Sequence, residues 1–196
     1  MSGETLGGAY FRTIYAENPD PWRFATSPYE QDKYQKTLSA LSKPRYANAF
    51  EVGCSIGVLT RMLADRCDRL LAVDIASTPL IAARQRCLDV PGVSFAEMAV
   101  PTQWPSDQFD LIILSEVVYY LSRSDVALLS EGIRRSLKPG GDLLLVHWTG
   151  PTNYPLTGDE AAELLLEAAK SILEDIRREK FEGFRLDIAR RSELSA

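Results

Sequence analysis

Apolar and polar residues follow two rhythms along this chain, and the rhythm switches at regular intervals. Short apolar runs at 50–52, 70–73, 93–97, 109–114 and 143–146 have the length and β-branched content of strands. Between them apolar residues recur at helical spacing: Val58, Leu59, Met62 and Leu63 form one face, and 80–88 another, opened by Thr78-Pro79. Ser122 with Asp125 reads as a capping box opening a helix that ends near Leu137, and Lys138-Pro139-Gly140-Gly141 reads as a stop and turn. Strand and helix in strict alternation predict a parallel sheet with helices on both faces.

The flanks of this block read differently. Tyr10, Phe11, Ile14 and Tyr15 have helical spacing until Asn18-Pro19-Asp20-Pro21 breaks it. Ser27, Pro28 and Glu30 announce a second helix to about Leu41, with Tyr34, Leu38 and Leu41 on its buried side. Residues 1–47 are therefore expected to form a helical lid over a core spanning 48–196, within a single domain. Beyond the fifth strand, Thr157 with Glu160 caps a helix carrying Ala161, Leu164, Leu165, Ala168 and Ile172. The stretch 172–190 then reads as two strands meeting at Gly183. A hairpin there completes a seven-stranded, mostly parallel sheet whose last strand is antiparallel.

The chemistry concentrates where the first strand ends, in Glu51-Val52-Gly53-Cys54-Ser55-Ile56-Gly57, and at Asp74, which closes the second strand. Gly53 permits a sharp turn, and Gly57 is expected to let a ligand approach the first helical turn. An acid at the tip of the neighbouring strand can accept hydrogen bonds from both hydroxyls of a ribose, the wiring of a Rossmann-like nucleotide site. The glycines are spaced Gly53-x-x-x-Gly57, with Cys54 where a dinucleotide site has its second glycine, and no Gly-Lys-Ser/Thr follows. Both observations disfavour pyrophosphate, and with it a nicotinamide oxidoreductase.

Bulk properties narrow the class further. The net charge is −5 and the arginines are scattered, which argues against a nucleic-acid substrate. Cys54, Cys67 and Cys87 have no metal spacing and His147 is the sole histidine, so neither a disulfide framework nor a metal site is expected. No basic-then-apolar stretch opens the chain, and no run approaches the roughly 20 apolar residues of a membrane span. A soluble, cytoplasmic protein is expected.

Taken together, E-V-G-C-S-I-G, Asp74, F-D-L-I-I-L-S-E and L-K-P-G-G resemble the landmarks of class I S-adenosylmethionine-dependent methyltransferases, in the expected order. The early D-P-W-R-F, the E-V-G-C followed by a glycine and Leu-Thr, and S-E-V-V-Y-Y-L resemble more narrowly the nodulation protein S family. That family N-methylates the glucosamine end of deacetylated chitooligosaccharides, and the likeness covers most of 17–147. The resemblance implies a Rossmann-like fold, S-adenosylmethionine as cofactor, no metal, and a small-molecule amine acceptor, possibly an amino sugar. It assigns Gly53, Cys54, Ser55 and Gly57 to the methionine and ribose side, Asp74 to the ribose and Ile75 to the adenine. Glu97 and Met98 fall near the adenine edge, and Ser115 ends the fourth strand beside the reacting methyl. The aromatic, charged segment Asp20-Pro21-Trp22-Arg23-Phe24 is expected to form a lid that brings Trp22 and Arg23 to the cofactor and offers them, with Tyr29, to the acceptor.

For acceptor chemistry the candidates are Glu116, Tyr119 and His147, all at or just beyond C-terminal strand ends, where ligands of open α/β sheets bind. One of Tyr119 and Tyr120 is expected to face the cleft, with Tyr119 favoured. Trp148 and Tyr154 are candidates for a stacking floor under a sugar ring. O-methylation of a small hydroxylated compound and a catalytically silent cofactor-binding protein are the alternatives.

Overall fold

The structure, a computed structural model, describes residues 3–193. Helices α1 (Gly8–Glu17) and α2 (Pro28–Ala40) precede the first strand. The central block runs β1 (Ala49–Val52), α3 (Val58–Ala64), β2 (Leu70–Asp74), α4 (Ser77–Arg86), β3 (Val93–Glu97) and β4 (Phe109–Ser115). A single 3-10 turn at Val118–Tyr120 leads to α5 (Arg123–Ser136), β5 (Leu137–Trp148), α6 (Gly158–Ala169), β6 (Leu173–Phe181) and β7 (Phe184–Arg191).

Among the described residues the seven strands form one sheet in the order β3-β2-β1-β4-β5-β7-β6. Pairings from β3 through β5 are parallel, and β7 lies antiparallel to both neighbours. The chain order reverses beside β1, and ligands of open α/β sheets bind at such a switch point, outside the carboxyl ends of the strands.

The central strands are apolar on both faces, as a sheet covered by helices on each side requires. Phe50, Ile112, Leu114, Leu143 and Leu145 face the layer holding α5 and α6. Their alternating neighbours Ala49, Leu111, Ile113, Leu144 and Val146 face α2 and α3. Phe50 stacks on Phe109 with centroids 5.0 Å apart, which ties the bottom of β1 to β4.

Two local expectations change. The strand β5 begins at Leu137, so Lys138-Pro139-Gly140-Gly141 does not separate helix from strand but bulges out within it. Phe109 pairs with Leu137 and Leu111 with Asp142, so the four residues loop away from one step of β4. Gly140 takes φ +68°, and a Cβ on Gly141 would lie 2.8 Å from the Lys138 carbonyl oxygen, so the bulge closes only around glycine. The capping box at Ser122 is half formed. Its hydroxyl accepts from the Asp125 amide at 3.2 Å, while the Asp125 carboxylate takes the Thr5 hydroxyl and so straps the N-terminal segment to α5. The box at Thr157 and Glu160 is complete, and the Ser27 hydroxyl caps α2.

Candidate active site

The C-terminal ends of β1, β2 and β4 open on one cleft of about 440 Å³. At the tip of β1 the chain must turn within two residues, and Gly53 does so at φ +80°, its amide held by the Val73 carbonyl at 2.8 Å. A Cβ there would strike Val117 at 2.3 Å, so the turn and the β4 tip pack against each other without room for a side chain. Ser55 adopts φ +48°, a conformation non-glycine residues rarely hold, and its hydroxyl meets the Tyr15 hydroxyl of α1 at 2.6 Å. The lid thus bonds directly to the glycine turn.

Asp74 sits beneath that turn. One carboxylate oxygen accepts the Ser55 amide at 3.0 Å and the other the Ala76 amide at 2.9 Å. Each oxygen keeps a lone pair for a further donor, which suits two ribose hydroxyls. Burial pushes the carboxyl up to about 6 despite these amides. Ile75 and Met98 continue the wall, and Met98 is placed by its amide bonding to the Asp74 carbonyl at 2.9 Å.

Glu51, part of the glycine motif but not singled out from sequence, also lines the cleft. It is 1% exposed, its Oε2 makes no hydrogen bond among the described residues, and burial pushes it up to about 7 against the opposing pull of the nearby Thr60 hydroxyl. An unpartnered buried carboxyl oxygen beside Asp74 suits a ligand carrying hydroxyls and an amino group. The donor set therefore fits S-adenosylmethionine, which Asp74 would hold at the ribose, Ile75 and Met98 at the adenine, and Gly53, Cys54 and Glu51 on the methionine side.

The other half of the cleft is built around Glu116, which follows β4 in a left-handed conformation, φ +58°. Its Oε2 accepts the Tyr119 hydroxyl at 2.6 Å and the Trp148 amide at 2.9 Å, and its Oε1 meets Lys33 Nζ at 2.5 Å. Burial alone would lift this carboxyl, but Lys33 and the Tyr119 hydroxyl outweigh it and hold it below the usual carboxylate range. Glu116 thus combines a backbone conformation that non-glycine residues rarely hold with a full set of polar partners. Both Tyr119 and Tyr120 reach the cleft, contrary to the expectation that only one would. The 3-10 turn is tighter than a helix, and Tyr154 stacks on Tyr119 with centroids 5.2 Å apart while meeting Tyr120 edge-on at 4.6 Å. Trp148, Trp22 and Tyr29 add to the aromatic lining.

Of the residues expected at the site, the cleft gathers Trp22, Gly53, Cys54, Ser55 and Asp74, together with Ile75, Met98, Ser115, Glu116 and Tyr119. Four lie elsewhere. Gly57 is needed for packing: at φ +75° it opens α3, and a Cβ would sit 2.9 Å from the Ala83 backbone of α4. Glu97 is exposed at the end of β3 and borders a separate shallow pocket with Arg12 and Gln103. Arg23 is exposed in the turn before α2, where its carbonyl accepts the Thr26 and Ser27 amides. His147 is fully buried behind Tyr119, with ring centroids 5.5 Å apart, and its Nε2 accepts the Val118 amide at 3.3 Å. Burial pulls its pKa down to about 4, so it is a neutral brace for the 3-10 turn rather than a base in the cleft.

Lys33 and Glu30 were missed. A signal was present: Glu30, Lys33, Tyr34 and Thr37 keep helical spacing, and all four are buried. Tyr34 joins the apolar cluster of Leu111 and Val146, and the charged pair Glu30 and Lys33 lines the cleft.

The parallel sheet with an antiparallel strand inserted next to its edge, and the glycine turn and acid at its switch point, define the class I methyltransferase fold. The nodulation protein S family matches residues 13–152, and the chain belongs to that family. It is 33% identical over 137 residues to nodulation protein S of Sinorhizobium fredii, covering 68% of this chain and 62% of that protein. The Bradyrhizobium diazoefficiens protein is 37% identical over 116 residues, 59% of this chain and 54% of that one. The chain thus spans little more than half the length of these curated relatives. The crystal structure of the N-methyltransferase NodS from Bradyrhizobium japonicum with S-adenosyl-L-homocysteine superposes with a TM-score of 0.80 at 25% identity, over 92% of this chain and 97% of that one.

Proposed function

We propose that this protein is an S-adenosylmethionine-dependent N-methyltransferase acting on a small amine, with an amino sugar as its acceptor. The observation that carries the reading is the junction of two half-sites in one cleft: the Gly53 turn with Asp74 and Glu51 on one side, and Glu116 with Tyr119 on the other. When bound, the cofactor supplies an electrophilic methyl group with a neutral leaving group. The protein's share is alignment and exclusion of water.

The acceptor half favours nitrogen over oxygen. An alcohol needs a base to attack, but Glu116 is held well ionised and weakly basic, and His147 lies outside the cleft. An amine that arrives neutral needs only a partner for the positive charge it acquires, and Glu116 with the aromatic faces of Tyr119, Tyr154 and Trp148 offers one. The same rings suit the apolar face of a pyranose, which supports the amino sugar, and the relatives named NodS point the same way. Among the described residues no helix is long and apolar enough to cross a membrane.

Calorimetric titration with S-adenosylhomocysteine, with NADH as control, tests the cofactor, and methyl transfer to glucosamine-terminated chitooligosaccharides tests the acceptor. Micromolar binding of the first alone, with turnover on the second, is expected. Binding without turnover on any amine would favour a silent cofactor-binding protein.

A further inference from the structure

Lys33 makes the shortest polar contact in the acceptor half. Its side chain reaches from α2 across the cleft, is 2% exposed overall, and points Nζ at Glu116 Oε1, 2.5 Å away, and at both Glu30 oxygens, 2.9 and 3.0 Å away. A buried ammonium is costly to desolvate and seldom adds net stability, so such a pair on a lid helix needs another reason. The arithmetic of charge supplies it. Lys33 alone would cancel Glu116, whereas Glu30, whose carboxyl burial raises against the pull of Lys33, balances Lys33 when ionised and leaves the triad one net negative charge, matched to a single cationic nitrogen.

We propose that Lys33 is a positioning residue for methyl transfer: held in place by Glu30, it fixes Glu116 as a carboxylate that hydrogen-bonds the acceptor nitrogen and opposes its growing positive charge, and does not take its proton. The proposal rests on the N-methyl transfer reading above. In that reaction the acceptor ammonium first loses a proton to water. The nitrogen lone pair then forms the new N–C bond, the sulfur–carbon bond breaks with its electrons left on sulfur, and the product leaves as a methylated ammonium. Glu116 neither gains nor loses a proton, and its worth lies in being charged throughout.

The groups facing Glu116 are Lys33, Glu30, Tyr29 and Tyr34 from α2, Tyr119 and Tyr120 from the 3-10 turn, and His147 from β5. Of these Lys33 alone is cationic near neutrality, since His147 is held neutral down to about pH 4. Removing Lys33 therefore leaves a buried carboxyl beside phenols and a second acid, conditions that protonate it.

The test combines carbon-13 NMR titration of the glutamate carboxyls, with Glu116 assigned through Glu116→Gln, and methyl transfer to chitobiose bearing a free amine on its non-reducing residue. In the native protein the Glu116 signal should stay that of a carboxylate across the neutral range. In Lys33→Met it should titrate there, with turnover at neutral pH down about 100-fold, recovering toward alkaline pH, and largely rescued in Lys33→Arg. A Glu116 signal unmoved in Lys33→Met, or a loss equal at every pH, reduces Lys33 to a clamp and overturns the proposal. Glu30→Gln leaves the Lys33–Glu116 pair in place: the carboxylate signal should persist while turnover falls, and unchanged turnover is equally fatal. If S-adenosylhomocysteine binds but the native protein ignores the amine, the acceptor reading fails, and the titration alone decides whether Lys33 governs Glu116.

Discussion

Glu51 shows how far a single residue can be set against stability for the sake of a site. It stands on β1 with strand neighbours that are wholly buried, and it lines the cleft with one oxygen unpartnered. An unfolded glutamate titrates near pH 4.3, whereas burial holds this one up to about 7. The folded chain therefore binds the extra proton, and stability falls as pH rises from the first value to the second, remaining lower above it. Asp74, raised to about 6, acts in the same sense. Glu51→Gln removes the ionisation and should stabilise the ligand-free protein by about 1–3 kcal/mol at pH 8 while changing little near pH 4. Urea denaturation at the two pH values measures this, and equal stabilisation at both would mean that Glu51 ionises freely in the fold. The same variant should bind S-adenosylhomocysteine more weakly, because the orphaned oxygen is the one left for a ligand.

At the scale of elements, the glycine turn serves two masters. Gly53 bends the chain at the β1 tip, but Gly57 lets α3 and α4 touch, with Ala83 where its side chain would be. Gly57→Ala combines a strained φ of +75° with a 2.9 Å approach to backbone, and should cost roughly 1–3 kcal/mol in thermal or denaturant unfolding. Cofactor affinity should fall less than stability, and the reverse order would return Gly57 to the binding wall. This division was not legible in the sequence, since a glycine at fixed spacing reads the same whether it admits a ligand or a neighbouring helix. The succession of strands and helices, the glycine turn and the place of Asp74 at a strand tip were legible because they depend on short-range alternation and on where apolar runs end, whereas the strand order was not. Glu97 and His147 were misplaced for the opposite reason: each does end a strand, but β3 lies at the sheet's edge and His147 sits behind the Tyr119 ring. Lys33 was invisible to an apolar periodicity because the stripe it belongs to is polar.

For the molecule as a whole, the question is whether lid and core behave as one unit. Helix α1 contributes Phe11 and Tyr15 to the same apolar cluster as Phe50 and Ile112, and α2 contributes Tyr34 to the cluster of Leu111 and Val146 on the opposite face. Polar ties run across the same boundary: Tyr15 to Ser55, Lys33 to Glu116, and the Leu6 amide to the Tyr120 carbonyl at 2.9 Å. Most of these join the lid to the cleft, so a ligand that orders the cleft should bind most tightly when the lid is closed. We expect one cooperative thermal transition, with equal calorimetric and van't Hoff enthalpies. S-adenosylhomocysteine at 100 times its dissociation constant should add about 2.7 kcal/mol to that transition as a whole. Two transitions, with the ligand moving only one of them, would divide the chain into a lid and a core that fold separately. Hydrogen exchange distinguishes the same cases by position: if the chain is one unit, the amides of α2 should gain protection with the ligand together with those at the tips of β1 and β4.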